Sequence, residues 1–523
     1  MSADQRRVTD HPGMRRFADD DVVDVVVVGT GAGGAPLLSR LAEAGLRVVA
    51  LEAGPDFAPS EFTPDELEST KINWMSERLS GGDDRTAFGP NNSGFGVGGS
   101  TLHWGAFTPR PDPRDVRLRS DTGEGRDWPI DHAELIRYIE RVESDIGVSG
   151  PAHYPWDPSR QYAYPPVRRN GSSDAMMRGC ETLGITATDG PAAILTRDRD
   201  QPHHGLRAGT LDNGDIHQGD RFGAKATTAN TYLPAAVAAG AEVRPDSFVH
   251  GIERDAAGRV TAVVYRSGGV DRRQRCATLV LAAGGVETPR LLLHTGVGNA
   301  NGVVGRGFMA HGAVQVWGRF DEPIRGYRGY PSSIISEDFL RPADADFAGG
   351  YLLQSLGVMP LNFGVQLIRA ANLWGDDLMS ALDDYPFSAG IGMNGECLPY
   401  ENNALVLSRE IADDGMPRAE ISFSKGANER AIDAHGIDVM ERILTAAGAR
   451  STRVMQRTAH TLGTCRMGDD PDDAVVDADG RSHEIDNLWI CDNSTFPSSL
   501  PANPALTQMA LGLRTADRML ATR

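Results

Sequence analysis

VVDVVVVGTGAGGAPLLSRLAEAGLRVVALE, residues 22–52, decides the fold. It opens on a short, continuous β-branched run, residues 22–28, which suits a strand buried on both faces. The run enters GTGAGG. Leu37, Leu38, Leu41 and Ala42 then recur at helical spacing, and Gly45 is placed to stop the helix. Residues 47–52, RVVALE, read as a second strand. Strand, glycine turn, helix and strand within ~30 residues make a βαβ unit. Gly29, Gly31 and Gly34 form GxGxxG in the context that motif requires. Gly29 permits the tight turn, Gly31 lets the backbone approach a pyrophosphate, and Gly34 lets helix and strand pack closely. The helix N-terminus offers free N–H groups to phosphates. Glu52 ends the second strand, where a carboxylate binds ribose hydroxyls and disfavours the 2′-phosphate of NADP. The motif does not separate NAD from FAD.

Further along the chain, GVGGSTLHWG at 96–105 is a second glycine-rich turn, suited to a long cofactor that needs support beyond its pyrophosphate. Residues 109–113 are a proline-punctuated break, read as a domain crossing. Leu135, Ile139, Val142 and Ile146 share one helix face, with Asp131 as N-cap. Residues 150–170 read as a loop over the surface. Residues 242–266 read as strands about a turn at Ala257 and Gly258. TLVLAA at 278–283 and LWICD at 488–492 are further buried strands, and a last helix spans 504–520. Alternating segments at 313–320, 388–398, 404–408 and 418–423 predict an antiparallel sheet with one exposed face. The expected fold is α/β, α+β overall. A Rossmann-like dinucleotide domain with a parallel sheet (20–110, 220–312 and 456–523) is interleaved with a substrate domain on an antiparallel sheet (111–219 and 313–455).

Composition narrows the partners. With 52 basic against 71 acidic residues the net charge is −19, which argues against nucleic acid or an anionic membrane surface. The chain holds 60 glycines in 523 residues, above the usual ~7%, without a collagen-like period, so they belong at turns and close approaches. Its five cysteines are scattered and none has CxxC spacing, so neither a disulfide framework nor a cysteine zinc site is expected. No apolar stretch reaches ~18 residues, and the first twenty residues lack the apolar segment an export signal needs. The expectation is a cytoplasmic protein with no metal site and no membrane association.

Four ordered motifs then carry a resemblance over nearly the whole chain: VVVVGTGAGG with LEAGP, GVGGSTLHW, LVLAAGGVETPRLLLHTG and HTLGTCRMG, closed by NLWICDNSTFPSSLPANPALTQMALGLRTADRML. The chain resembles the glucose–methanol–choline (GMC) oxidoreductases. The resemblance implies FAD, oxidation of an alcohol to a carbonyl, and hydride transfer to flavin N5. It implies a catalytic pair at His460, in HxxGT, and Asn503. His suits a base at neutral pH, and Asn is a neutral group that can hold the substrate oxygen. It also places Gly98, Gly99 and Ser100 along the pyrophosphate and ribityl chain, and Val249 at the adenine. Asp492 and Asn493 fall at the ribityl–phosphate region. Pro504 to Thr507 open a helix facing the flavin, able to stabilise its reduced, negative form. His103 falls where pyranose oxidases of the family carry a flavin-linking histidine.

Several segments resemble the branch of gluconate, fructose and bacterial glucose dehydrogenases. Some members hold an iron–sulfur cluster on cysteines that precede a GAK segment. Here residues 201–225 contain no cysteine, with Asp220 at a position where one is common, so no cluster is expected. His203, His204 and His217 read as solvated loop histidines. The expected substrate is a small alcohol, a sugar, glycoside or polyol, with oxygen or a soluble acceptor taking the electrons. A long-chain or sterol alcohol is the alternative, and a flavin-bearing lyase a further one. Oligomeric state is not legible in the chain.

Overall fold

A computed structural model describes residues 7–84, 93–343 and 345–523. Residues 1–6 of the N-terminal segment lie outside the described residues. The strand Val23–Val28 is central to the first sheet. It pairs in parallel with Val48–Leu51 on one side and with the end of Val270–Leu281 on the other. Glu242–Arg244 and Leu488–Ile490 extend the parallel sheet at its two edges. Val25, Val26 and Val27 are fully buried, as a continuous β-branched run requires when helices cover both faces. Each contributes roughly 1.5–3 kcal/mol by burial. The helix Gly34–Glu43 packs on Ala505–Ala521 and Tyr232–Ala238, and Gly45, at φ 87°, follows its end.

Val270–Leu281 is longer than its apolar part suggests. Its polar first half pairs antiparallel with Val260–Ser267, which pairs with Phe248–Arg254. One strand thus serves both a parallel sheet and an antiparallel meander.

The second sheet runs in the order Ser451–Met455, Gln315–Arg319, Ser388–Gly395, Tyr351–Ser355, Ile334–Ser336, Thr188–Asp189. The alternation is real, and Ala404–Ile411 and Pro417–Ser422 do expose one face, but Ser388–Gly395 is buried throughout. Val316, Ala389, Ile391 and Met393 pack in an apolar cluster with the helices Gly171–Leu183 and Ala427–Ala446. Gln315, Gln354 and Asn394 line a cavity on the other side. A polar cavity wall has the sequence signature of a solvent face. Ala404–Ile411 and Pro417–Ser422 leave this sheet and pair with each other and with Leu79–Gly81. The 150–170 segment is a loop, but one that buries Tyr154, Arg160 and Val167 rather than lying over the surface.

Met309–Gly312 pairs with both Ser388–Gly395 and Thr458–Leu462. The histidine of HxxGT therefore rides on a strand attached to the second sheet while its loop returns to the first.

Candidate active site

A single cavity of about 680 Å³ runs between the two sheets. Its wall gathers Gly29, Gly31, Glu52, Gly99, Ser100, His103, Val249, His460, Asp492, Asn493, Asn503 and Pro504 from across the chain. Gly34, Gly98 and Thr507 stand behind that wall, and Gln508 reaches it in place of Thr507.

The glycines divide by task. Gly29 has φ +99°, and a Cβ there would meet the Ala282 carbonyl at 2.4 Å. Gly34 packs so closely that a Cβ would lie 2.2 Å from the Gly29 carbonyl. Gly33, unassigned in the sequence, is tighter still, at 1.8 Å from the Cys491 carbonyl. Gly31 differs: its nearest neighbour is the Gly99 Cα at 3.8 Å, and it faces the cavity. That is the position where a pyrophosphate can lie against backbone.

Glu52 is buried beside it, accepting from Thr30 N at 3.0 Å, Thr30 Oγ1 at 2.7 Å and Gly54 N at 3.2 Å. Burial raises its pKa, and these bonds pull the other way. Thr30, which sequence reasoning missed, also accepts from Gly98 N at 3.1 Å and so joins the two glycine loops. Asp492 accepts from Gly284 N at 2.9 Å and Thr288 Oγ1 at 2.5 Å, at the start of the helix Gly284–Thr295. Asn493 accepts from Gly285 N and donates to the Thr461 carbonyl, tying that helix to the HxxGT strand. Lys225 is fully buried and donates to the carbonyls of Leu102 at 2.8 Å and Ile216 at 2.5 Å, so it clamps the 99–104 turn. Burial lowers its pKa to about 7. His217 is exposed in its loop, as expected, but its ring also reaches the cavity. It lines the cavity with Nδ1 3.2 Å from the His103 carbonyl. No helix among the described residues is long and apolar enough to cross a membrane.

At the other end lies His460. The pairing register shifts between Ala310 and His311, so Thr461 and Ala459 are paired while His460 is skipped. Its φ of 58° is left-handed, a conformation a non-glycine residue holds only when its surroundings impose it. The bulge aims the imidazole out of the ladder. Its Nδ1 meets Nδ1 of His311 at 2.8 Å. Nε2 of His311 faces the carbonyls of Leu500 at 2.5 Å and Ser499 at 3.2 Å. Carbonyls only accept, so Nε2 of His311 carries hydrogen. Burial lowers the His311 pKa to about 4, leaving the ring neutral with a bare Nδ1. That nitrogen accepts, so Nδ1 of His460 carries hydrogen and donates. The consequence is a bare Nε2 on His460. Burial, then the neighbouring His311 and Arg457, hold the His460 pKa well below the usual imidazole value. His460 is therefore an unprotonated imidazole with its tautomer set by a second histidine. His311 carries no local motif, and only the strand pairing reveals it.

Asn503 is fixed in a similar way. Its Oδ1 accepts from Asn394 Nδ2 at 2.8 Å, which leaves its own N–H groups to donate. The helix Ala505–Ala521 begins two residues on, with its first turn at the cavity. A bare imidazole nitrogen, an amide donor and a helix N-terminus on one cleft can take a hydroxyl proton, hold its oxygen and stabilise negative charge.

Residues 23–313 and 399–512 each match a sequence family described as GMC oxidoreductase. The chain belongs to the GMC oxidoreductase family. It is 29% identical to 2-methyl-1,2-propanediol dehydrogenase of Mycolicibacterium austroafricanum, over 95% of each chain. It is 30% identical to the fructose dehydrogenase large subunit of Gluconobacter japonicus, over 95% of this chain and 97% of that one. The fold of pyridoxine 4-oxidase from Mesorbium loti superposes with a TM-score of 0.68 at 17% identity, covering 95% of this chain and 99% of that one. This GMC oxidoreductase is an FAD enzyme acting on alcohol groups, and its architecture is the Rossmann-like unit with an antiparallel substrate unit. The residues fit FAD: the Gly31 cradle suits the pyrophosphate, the Glu52 carboxylate the ribose, and the Ala505 helix start the flavin.

Proposed function

We propose that this GMC oxidoreductase oxidises a hydroxyl of a sugar, glycoside or polyol to the carbonyl, with His460 as base and Asn503 as oxygen holder. FAD, held by the Gly31 cradle, Glu52 and the start of the Ala505–Ala521 helix, would supply the hydride acceptor, flavin N5. Nε2 of His460 takes the hydroxyl proton, since its Nδ1 hydrogen is committed to His311. Asn503 donates to the substrate oxygen, keeping it in line as charge develops on it. The cofactor unit is assigned to 20–110, 220–312 and 456–523 and the substrate unit to 111–219 and 313–455.

The observation that favours a polyhydroxy substrate is a pair of amides. The Oε1 atoms of Gln354 and Gln366 are buried without a hydrogen-bond partner, and both residues line the cavity. A buried acceptor left unpaired costs ~1–3 kcal/mol, which a substrate hydroxyl removes. The second reading, a hydrophobic alcohol, rests on Leu356, Val358, Leu361 and Val365, which line the same chamber. A panel of sugars, polyols and long-chain alcohols, mixed anaerobically with the holoenzyme, separates them. Bleaching by polyols supports the first reading, and bleaching by long-chain alcohols alone removes it.

Electrons pass to oxygen or a soluble acceptor, with no iron–sulfur cluster in the cysteine-free 201–225 stretch. Comparing turnover in air and under argon with an artificial acceptor distinguishes the two. His103 lines the cavity, and its Nε2 is buried without a partner, which fits a bond to the flavin methyl. Acid denaturation tests it: flavin left wholly in the supernatant removes the link.

A further inference from the structure

One cation in the cavity has no task in hydroxyl oxidation. Arg457 lies three residues before His460, between the strands Ser451–Met455 and Thr458–Leu462, and lines the same cavity. Its carbonyl accepts from Ala313 N at 3.1 Å, which anchors its backbone. Among the described residues its guanidinium has neither an ion pair nor a hydrogen-bond partner, and burial lowers its pKa with no carboxylate to offset it.

Other interior arginines are not left this way. Arg78 and Arg290 meet Glu287, Arg160 meets Glu143, and Arg514 meets Glu134. Arg207 is fully buried, but carbonyls of Ile146, Gly223 and Ala224 surround it. A chain with net charge −19 has no shortage of carboxylates. An arginine kept without one, in the chamber of the base, is set for an anion from outside.

A second arginine stands next to it. Arg369, in the last turn of the helix Pro360–Ala371, is exposed to solvent at the cavity's edge and has no partner among the described residues. Gln456 N donates to the Ala370 carbonyl at 3.3 Å, so the two arginines flank one main-chain bond. The cavity's own carboxylates are engaged elsewhere. Glu52 is held by Thr30, Glu66 accepts from Leu361 N and Asn362 N at 2.8 Å, Glu287 is paired with arginine, and Asp492 accepts from Gly284 N.

We propose that the substrate carries an anionic group, a carboxylate or phosphate ester, as well as the oxidised hydroxyl, and that Arg457, with Arg369 beside it, binds that group. This rests on the reading of His460 as the base that serves a polyhydroxy alcohol. Arg457 and His460 line one cavity, so the substrate joins an anion and the reacting hydroxyl in one small molecule. Sugar acids and sugar phosphates have that shape; simple long-chain alcohols do not.

The test is a matched panel on the holoenzyme: alditols, the corresponding aldonates and their phosphate monoesters. Flavin bleaching is followed anaerobically at low and high salt. A charged member is expected to exceed its uncharged parent in kcat/KM by about tenfold or more, and added salt to shrink that ratio. The favoured member tells carboxylate from phosphate. Arg457→Met is expected to reduce the charged-to-uncharged ratio by about 10- to 100-fold, and Arg457→Lys to restore part of it. Inorganic phosphate and acetate give a readout without turnover: their Kd, from the oxidised flavin spectrum, is expected to rise in Arg457→Met. Where that variant does not hold flavin, the salt dependence of the parent enzyme and the Arg457→Lys ratio decide. Uncharged alcohols preferred by the parent enzyme, or a ratio unmoved by either variant, overturn the proposal while leaving alcohol oxidation standing. No bleaching by any member overturns both.

Discussion

His311→Phe isolates the tautomer argument. Phenylalanine keeps the ring volume but removes the acceptor 2.8 Å from His460 Nδ1 and the donor to the Leu500 carbonyl. The Nδ1 hydrogen of His460 then lacks a partner, at a cost of ~1–3 kcal/mol. The ring is also free to place its hydrogen on Nε2, the form that cannot accept a proton from substrate. At about 1.4 kcal/mol per tenfold, the limiting rate of flavin reduction is expected to fall about 10- to 100-fold. Anaerobic stopped-flow bleaching at saturating alcohol measures that rate directly, on protein whose flavin content matches the parent. The pH profile adds a sign. The His460 pKa is held down by burial first and by His311 second. Removing His311 takes away one of the groups that lower it, so the acid limb of kcat/KM moves to higher pH. His311→Gln, which can both donate and accept, is expected to recover part of the rate. Parent rates and an unshifted acid limb in His311→Phe would refute the assignment of His311 as the positioning residue.

Four further outcomes follow from particular contacts. Gly31→Ala has room for its methyl in the protein, the nearest atom being 3.8 Å away, so its apoprotein should fold while FAD binding is lost. Gly33→Ala sets a Cβ 1.8 Å from the Cys491 carbonyl and should fail to fold, as soluble yield and circular dichroism report. Glu396 is 1% exposed and burial raises its pKa to about 7, so it weakens the fold as pH rises from ~4.5 through about 7. Glu396→Gln should therefore stabilise by about 1–3 kcal/mol at pH ~8 and by little at pH ~4, read as Tm at the two values. Lys225→Met removes the clamp on the Leu102 and Ile216 carbonyls and should raise the Kd for FAD in a flavin titration of the apoprotein.

The βαβ unit was legible because its information is local: Val23–Val28, the glycine turn and the Gly34–Glu43 helix adjoin in sequence and in space. The N-cap at Asp131 was legible for the same reason, and its side chain does accept from Glu134 N at 3.1 Å. His460 and Asn503 were placed by resemblance, since a lone histidine and a lone asparagine carry no periodic signal. Their partners were not legible. His311 reaches His460 through strand pairing across 149 positions, and Asn394 reaches Asn503 across 109. The antiparallel sheet misled in one respect: Gln315, Gln354 and Asn394 alternate with apolar residues because they face a cavity, and periodicity cannot tell a cavity from solvent. His217 hid in a polar loop that folds back onto the cavity wall. Arg457 looked like one of many arginines until its lack of a carboxylate could be seen.

The most direct test of the account is anaerobic mixing of a polyol with the holoenzyme and with His460→Ala, both carrying FAD. The parent enzyme is predicted to lose its oxidised flavin band in a single turnover. The variant is predicted to keep that band at least about a hundredfold longer, while its flavin content and Tm stay near the parent's. Bleaching of His460→Ala at the parent rate would contradict the role given to this histidine and the mechanism built on it.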